Sequence, residues 1–202
     1  MRSLKSKFVP RALATSLVFS SLLVSAAAAP PAGSIASKVT IGNFGQVSST
    51  YYRGEQPEGR DYTDLAAAGI KAVVDLQADG PQDEKQFVEA AGMTYLQIPM
   101  TTRVAPTAQQ LASFLKFVND PANQPVYVHC AGGRHRTGVM TAVYRMTNDG
   151  WTSEQAFKEM KQYKFGADFL HPEFKKFVYG YHAPAAPAGL AAQIELAAAT
   201  AN

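Results

Sequence analysis

Short apolar segments alternate with amphipathic stretches through the middle of this 202-residue chain, and this alternation is the feature that most constrains its fold. Three apolar runs have the length and composition of buried strands, and each follows a stretch with helical periodicity: residues 70–76, 93–98 and 126–128. Such alternation is typical of a parallel sheet with helices on its faces. We therefore predict an α/β fold with a mostly parallel central sheet, to which residues 39–44 and 50–53 add edge strands.

Helix start and stop signals divide the rest of this segment. The first two predicted helices, 58–68 and 82–91, are each followed by a glycine. Two later helices begin with capping boxes, formed by Thr107 with Gln110 and by Thr152 with Gln155. Residues 139–148 form a further predicted helix, and a last one begins at Pro172. The carboxyl-terminal half of the domain is therefore predicted to be helical from Gly138 onward.

The first 28 residues have the three-part pattern of a secretory signal peptide. Residues 1–11 carry four basic side chains and no acidic one, 12–24 are mostly apolar, and 25–29 are small. The apolar part is about 13 residues long, whereas a membrane-spanning helix needs roughly 20. We therefore expect cleavage near Ala28, a periplasmic or secreted protein, and no membrane anchor after cleavage.

Loss of this segment changes the charge balance of the chain. The remainder has 15 lysines and arginines against 16 acidic residues, so its charge gives no reason to expect nucleic-acid binding. We predict a linker at 29–38, one domain at 39–182, and a flexible tail rich in alanine and proline at 183–202. The single cysteine excludes a disulfide within the chain, and the sequence has no metal-ligand spacing. We therefore expect neither a cofactor nor a metal ion.

The segment VHCAGGRHRTG, residues 128–138, contains that single cysteine, Cys130. It follows the last predicted strand and leads into a helix near Arg136, which places it at the carboxyl edge of the sheet. Its glycines allow successive N–H groups to point into one concave site, and a helix N-terminus adds partial positive charge. This setting favours the thiolate form of Cys130, which is the nucleophile. The guanidinium of Arg136 is suited to bind two phosphoryl oxygens bidentately, and Thr137 provides a hydroxyl near the sulfur.

Residues 129–138 resemble the HCxxGxxRTG signature of the cysteine-dependent tyrosine and dual-specificity phosphatases. Three further segments, 52–57, 73–76 and 150–151, resemble the small atypical members of this group. The resemblance extends over residues 39–181 and implies a dual-specificity-phosphatase-like fold.

The resemblance also implies roles for individual residues. Cys130 would attack phosphorus and form a phosphocysteine without help from a metal. His129 would support the loop and the thiolate, and Thr137 would assist hydrolysis of the intermediate. The groups that would bind the phosphoryl oxygens belong to Ala131, Gly132, Gly133, Arg134, His135 and Arg136.

The proton donor is missing from its expected place. In this family an aspartate on the loop after the preceding strand usually protonates the leaving oxygen, but here that loop, 100–105, has no carboxylate. The candidates elsewhere are Asp79, Asp83, Glu84 and Asp168, each expected to be a solvated surface carboxylate. The alternatives are a substrate with a good leaving group, or a protein that binds phosphate groups and turns them over poorly.

Several functions therefore remain open. The first hypothesis is an exported phosphatase for phosphotyrosine, a phosphoprotein or another small phosphate monoester. Positive side chains at Arg134, His135 and Arg103 suggest inositol polyphosphates or pyrophosphates instead, unless Arg134 and His135 point outward and only solvate the loop. A phosphate-binding pseudophosphatase is the non-enzymatic alternative. A rhodanese-like sulfurtransferase is disfavoured by the Arg-Thr-Gly sequence at 136–138.

Overall fold

The computed structural model describes residues 39–183, which contain a five-stranded sheet with helices on both faces. The strands are β1 (Gly45–Gln46), β2 (Tyr51–Gly54), β3 (Ala72–Gln77), β4 (Thr94–Met100) and β5 (Val126–His129). Their order across the sheet is β1-β2-β5-β3-β4, and only the β1–β2 pair is antiparallel. Because β5 is the central strand, the residues that follow it emerge in the middle of the carboxyl edge.

Six α-helices accompany the sheet within residues 39–183. They are α1 (Asp61–Ala67), α2 (Glu84–Ala90), α3 (Ala108–Val118), α4 (Arg136–Asn148), α5 (Ser153–Gln162) and α6 (Pro172–Gly180). Leu65 of α1 and Val88 of α2 pack in the core on one face, whereas Phe114 of α3 and Met140 of α4 pack on the other. Helices α5 and α6 pack against α4 in a third cluster. Every residue of β3 is buried, as expected for an inner strand that helices cover on both sides.

The predicted fold class is confirmed. The three apolar runs form β3, β4 and β5, with ends within two residues of those predicted. Three of the four strand pairs are parallel, and helices lie on both faces of the sheet. The apolar runs were informative here because β3 and β5 are buried along their whole length.

The predicted edge strand at 39–44 is wrong. These residues form an irregular segment with a turn at Asn43, which has a φ of 53°. Val39 and Ile41 are apolar because they are buried in the α1/α2 core cluster, and that burial does not require strand pairing. The second predicted edge strand, 50–53, is β2, but it lies between β1 and β5.

The predicted helices are present with small differences at their ends. Helix α1 begins at Asp61, three residues later than predicted, because the N–H of Glu58 donates to the Asp61 carboxylate in a turn that precedes the helix. Both capping boxes are confirmed, at Thr107–Gln110 and Thr152–Gln155. The helical carboxyl-terminal half is confirmed as α4, α5 and α6.

The predicted signal peptide (1–28), the linker (29–38) and nearly all of the tail (183–202) lie outside the described residues, so these boundaries stay predictions. Within residues 39–183, none of the helices has both the length and the apolar character needed to cross a membrane.

Candidate active site

Cys130 lies directly after the central strand β5, and α4 begins at Arg136. The strand, loop and helix predicted around the only cysteine are therefore present. Cys130 is 3% exposed and belongs to the core cluster on the α3/α4 face of the sheet. The sulfur thus lies at the base of the loop, whereas Ala131 and Arg134 are exposed.

The carbonyl groups of this loop are held by donors from other segments. These bonds are Asn43 Nδ2 to Gly132 O (3.2 Å) and Gly133 O (3.0 Å), Arg53 Nη2 to Gly133 O (2.8 Å), and Gln56 N to Ala131 O (3.4 Å). Within residues 39–183, the N–H groups of Ala131, Gly132, Arg134, His135 and Arg136 have no main-chain acceptor. Carbonyls engaged elsewhere and N–H groups without acceptors make a loop of this shape suited to bind an anion.

Gly133 is the point at which the loop packs against the sheet. It has a φ of 60°, in the left-handed region. Its Cα also approaches Gly54 at the end of β2 so closely that a Cβ would overlap the Gly54 carbonyl group. Only glycine satisfies both conditions.

Arg53, in β2, is a site residue that the sequence analysis missed. Its side chain is fully buried, and its guanidinium carbon lies 4.0 Å from the ring centre of Tyr163. Burial lowers the pKa of Arg53 from its ordinary value. The available signal was an arginine within the apolar strand sequence, since charged residues are rarely buried without a partner. Asn43 gave no comparable signal because it lies in an irregular segment.

Arg136 reaches across the carboxyl ends of two neighbouring strands. It is 3% exposed, and its Nη1 donates to Asp79 Oδ1 at 2.5 Å and to the carbonyl oxygen of Met100 at 3.1 Å. Met100 ends β4, and Asp79 lies on the loop after β3. The hydrogen bond from Arg136 lowers the pKa of Asp79. The Asp79 side chain remains 72% exposed, so this predicted proton donor is at once accessible and in contact with Arg136.

Two other predicted proton donors are surface groups, as expected. Asp83 is exposed at the start of α2 and makes no capping hydrogen bond. Asp168 forms ion pairs of 2.7 Å with both Lys161 and Lys175, whose hydrogen bonds lower its pKa. Neither residue has a contact with Cys130 or Arg136 that would single it out.

The expectation of a solvated carboxylate is wrong for Glu84. Its side chain is fully buried, because the first turn of α2 faces the sheet. Its Oε1 lies 2.9 Å from Nε2 of His129, which is also fully buried. The two atoms are in contact, but their approach does not follow a hydrogen-bond direction. His129 is thus held from behind the loop, and Glu84 does not face a substrate.

Asp75 of β3 completes this buried cluster. One ligand atom from each of Asp75, Glu84 and His129 lies within 4.8 Å of the other two. The Asp75 oxygens accept hydrogen bonds from Gln77 N (2.8 Å), Tyr95 Oη (3.1 Å) and Gln97 Nε2 (3.2 Å). Burial raises the pKa of Asp75. These three hydrogen bonds already engage the Asp75 carboxylate. The cluster therefore has fewer free ligand groups than a zinc site, which uses three or four protein ligands.

The remaining predicted site residues differ in exposure. Thr137 is fully buried, and its hydroxyl has no hydrogen-bond partner within residues 39–183. Arg134 and Arg103 are exposed. His135 does not simply solvate the loop, because its Nε2 lies 2.9 Å from the carbonyl oxygen of Phe165.

His135 also packs against a second histidine. The ring centres of His135 and His171 are 3.8 Å apart, and Nδ1 of His171 donates to the carbonyl oxygen of Thr102 at 3.0 Å. Burial, followed by the neighbouring His171, lowers the pKa of His135. The pair thus connects the loop at 130–135 with the loop at 100–105.

Comparisons with known proteins identify relatives of this chain. A family model described as a DSP-PTPase phosphatase fused to NAD+ kinase matches residues 37–176. A probable tyrosine-protein phosphatase of Dictyostelium discoideum is 29% identical, over 60% of this chain and 75% of that protein. The dual specificity protein phosphatase TpbA of Pseudomonas aeruginosa is 29% identical, over 61% of this chain and 56% of that protein. The inositol diphosphatase SIW14 of Saccharomyces cerevisiae is 28% identical, over 61% of this chain and 46% of that protein.

Solved structures agree with this match. The core catalytic domain of SIW14 superposes with a TM-score of 0.62 and 28% identity, covering 71% of this chain and 88% of that one. TpbA superposes with a TM-score of 0.60 and 26% identity, covering 69% of this chain and 85% of that one. The chain belongs to the atypical dual-specificity group of the cysteine-dependent tyrosine phosphatases.

Proposed function

We propose that the protein hydrolyses phosphate monoesters through a phosphocysteine formed on Cys130, without a metal ion. The observation that carries this proposal is the loop between β5 and α4. It combines a cysteine at its base, N–H groups without acceptors and a buried arginine, Arg136, at the start of the helix. These are the nucleophile and the electrostatic groups that phosphoryl transfer requires.

The reaction proceeds in two displacements. The Cys130 thiolate attacks phosphorus, the ester P–O bond breaks, and the leaving oxygen keeps the electron pair and takes a proton. Water then attacks phosphorus and loses a proton to the group that protonated the leaving oxygen, the P–S bond breaks, and the electron pair returns to sulfur. The loop N–H groups and Arg136 bind the phosphoryl oxygens in both steps. The Thr137 hydroxyl, in the first turn of α4, assists departure of the sulfur.

Asp79 is the predicted proton donor that the contacts support best. In the absence of substrate the hydrogen bond from Arg136 lowers the pKa of Asp79, which keeps the carboxyl ionised. A phosphoryl group that takes Arg136 for itself removes this hydrogen bond and brings negative charge close to Asp79. Both changes raise the affinity of the carboxylate for a proton. Substrate binding thus converts Asp79 from a partner of Arg136 into an acid.

Phosphotyrosine or a phosphoprotein is the proposed substrate class. A polar cleft beside Ala131 is lined by Glu55, Glu58 and Asp61, and no lysine or arginine among residues 39–183 lines it. Negative charge next to the phosphate-binding loop disfavours a polyanion and tolerates a peptide. A relative, TpbA, was crystallised as a variant with phosphotyrosine.

An inositol pyrophosphate is the second candidate substrate. The exposed Arg134 and Arg103 provide positive charge, and relatives include inositol diphosphatases of yeast and rice. Hydrolysis rates for a panel of tyrosine phosphopeptides and inositol phosphates decide between the two classes. We expect the higher kcat/KM for the phosphopeptides.

The phosphatase activity itself is tested with p-nitrophenyl phosphate in the presence of a chelator, for the wild type and Cys130→Ser. We expect turnover by the wild type and none by the variant. Full activity in Cys130→Ser would exclude the phosphocysteine mechanism. Tight phosphopeptide binding with no turnover by the wild type would identify a pseudophosphatase.

The proposal includes export, on the basis of the signal-peptide pattern in residues 1–28. Expression of the full chain in a bacterium, followed by fractionation and mass spectrometry of the N-terminus, tests it. A mature chain that begins near residue 29 outside the cytoplasm is expected. An intact N-terminus in the cytoplasmic fraction would contradict export and leave the proposed chemistry unaffected.

A further inference from the structure

Glu84 is a fully buried carboxylate that the proposed catalytic steps do not use. Its neighbours along the chain, Asp83 and Lys85, are exposed, so the burial is specific to this position. Carboxylates are almost never fully buried unless they are paired. Within residues 39–183, no lysine or arginine forms an ion pair with Glu84, and His129 is the basic group in contact with it. The ring of His129 is therefore the natural source of a compensating charge.

The second carboxylate of this cluster increases the need for a cation. Asp75 is aligned with His129 across the β3–β5 pair, and side chains at aligned positions share a face of the sheet. The donors to Asp75 are a main-chain N–H, a hydroxyl and an amide, all of which are neutral. Buried carboxylates without a cation are costly, so protonation of His129 stabilises both of them.

His129 is connected to the nucleophile by a single peptide bond. Because side chains alternate along a strand, His129 lies on the α1/α2 face and Cys130 on the α3/α4 face. A charge on the His129 ring therefore lies behind the loop and does not meet the substrate. Glu84 contacts the His129 ring and not Cys130, so any effect of Glu84 on the thiol passes through His129.

We propose that Glu84 is a positioning residue of this phosphatase, whose carboxylate holds His129 as an imidazolium behind Cys130 and so favours the thiolate. The inference rests on the proposed role of Cys130 as nucleophile. The thiol proton passes to solvent, and the positive charge behind the loop lowers the free energy of the anion that remains. The other titratable groups around the two side chains are Asp75 on β3, Tyr62 on α1, Tyr95 on β4 and Tyr127 on β5.

The first test measures thiolate formation directly and needs no turnover. Cys130 is the only cysteine of the chain, so the rate of alkylation by iodoacetamide against pH reports this thiol alone. In Glu84→Gln the His129 ring loses its counter-charge. We therefore expect the midpoint of the curve of Cys130 alkylation rate against pH to rise by about one pH unit. The matched control is Glu89→Gln, on the exposed side of the same helix, for which we expect no shift.

The sign of the shift makes this test decisive. If His129 were neutral and Glu84 ionised, loss of the negative charge would ease thiolate formation and lower the midpoint. An unchanged or lowered midpoint in Glu84→Gln would therefore overturn the proposal. A change in stability alone does not move this midpoint.

A second measurement uses the wild type, in case Glu84→Gln does not fold. The ¹⁵N chemical shifts of the His129 ring at about pH 7 distinguish an imidazolium from a neutral tautomer. Two protonated nitrogens support the proposal, whereas one unprotonated nitrogen overturns it. One equivalent of a divalent metal in the purified protein would also overturn it, because the histidine would then be a ligand.

These outcomes are separable from a failure of the proposed function. Full hydrolysis by Cys130→Ser would show that the nucleophile is another group, whatever the charge of His129. Conversely, alkylation and ring shifts report on Glu84 and His129 even if no substrate is turned over.

Discussion

Arg53 and Gly133 lie 80 positions apart in the sequence, yet Nη2 of Arg53 donates to the carbonyl oxygen of Gly133 at 2.8 Å. The arginine comes from β2 and is fully buried, with the ring of Tyr163 on its guanidinium. The orientation of the phosphate-binding loop therefore depends on a side chain from a different strand. The same carbonyl also accepts from Asn43, so that two segments fix it.

Replacement of Arg53 by methionine tests this dependence. Hydrogen bonds to charged groups contribute about 1.5–3 kcal/mol, so kcat/KM for p-nitrophenyl phosphate should fall by about ten-fold or more. Steady-state kinetics, with circular dichroism to verify folding, provides the measurement. Arg60→Met is the matched control, because its side chain is 83% exposed and pairs with the surface residue Asp64. A folded Arg53→Met enzyme with unchanged kcat/KM would show that other contacts suffice to hold the loop.

Replacement of Asp79 by asparagine should separate phosphate binding from proton donation. The carboxylate competes with phosphate for Arg136, so its removal should lower the inhibition constant of inorganic phosphate by several-fold. Loss of a proton donor should lower kcat for an alkyl phosphate by about 100-fold, and much less for p-nitrophenyl phosphate, whose leaving group needs little protonation. Asp83→Asn, at the exposed end of the same β3–α2 loop, is the control. Equal losses on both substrates would argue that Asp79 is not the acid.

Alanine at position 133 should disrupt the loop. The added Cβ would overlap the Gly54 carbonyl group, and the positive φ costs about 1–3 kcal/mol for a residue other than glycine. We expect the free energy of unfolding in urea to fall by at least this amount, together with a loss of activity. Gly180→Ala serves as control, because no atom of residues 39–183 outside its own helix turn lies within 4 Å of the added Cβ. A Gly133→Ala protein of wild-type stability would mean that β2 and the loop can move apart.

The histidine pair predicts a dependence of stability on pH. The pKa of His135 is lowered from 6.5 by burial and by His171, so the folded state favours the neutral ring. The contribution of the neutral His135 ring to the stability of the fold is fully present above pH 6.5, the ordinary pKa of histidine. It is lost as the pH falls from 6.5 toward the lowered pKa of the folded state. Thermal unfolding of His135→Gln should show a smaller loss of Tm than the wild type over this range. His182→Gln, at an exposed position, is the control. Parallel Tm profiles for His135→Gln and the wild type would contradict the prediction.

Local sequence signals determined the parts of the site that are built from neighbouring residues. Cys130 and Arg136 belong to one strand, loop and helix, whose hydrogen bonds and turns depend on residues within that stretch. The capping boxes at Thr107 and Thr152 were equally recognisable, because both partners lie within one helical turn. The apolar runs of β3 and β5 were recognisable because both strands are buried along their whole length.

Tertiary structure decided which distant side chains complete the site. The register of β2 against β5 places Arg53 beside the loop, and no local pattern encodes that register. The orientation of α2 buries Glu84 against His129, although its neighbours in the sequence are surface residues. The sequence alone predicted Cys130 as a nucleophile and Arg136 as a phosphate-binding arginine. The packing of β2, β3 and α2 decided that Arg53 supports the loop, that Asp79 contacts Arg136 and that Glu84 contacts His129. These residues are distant in the sequence, so only the folded chain brings them together.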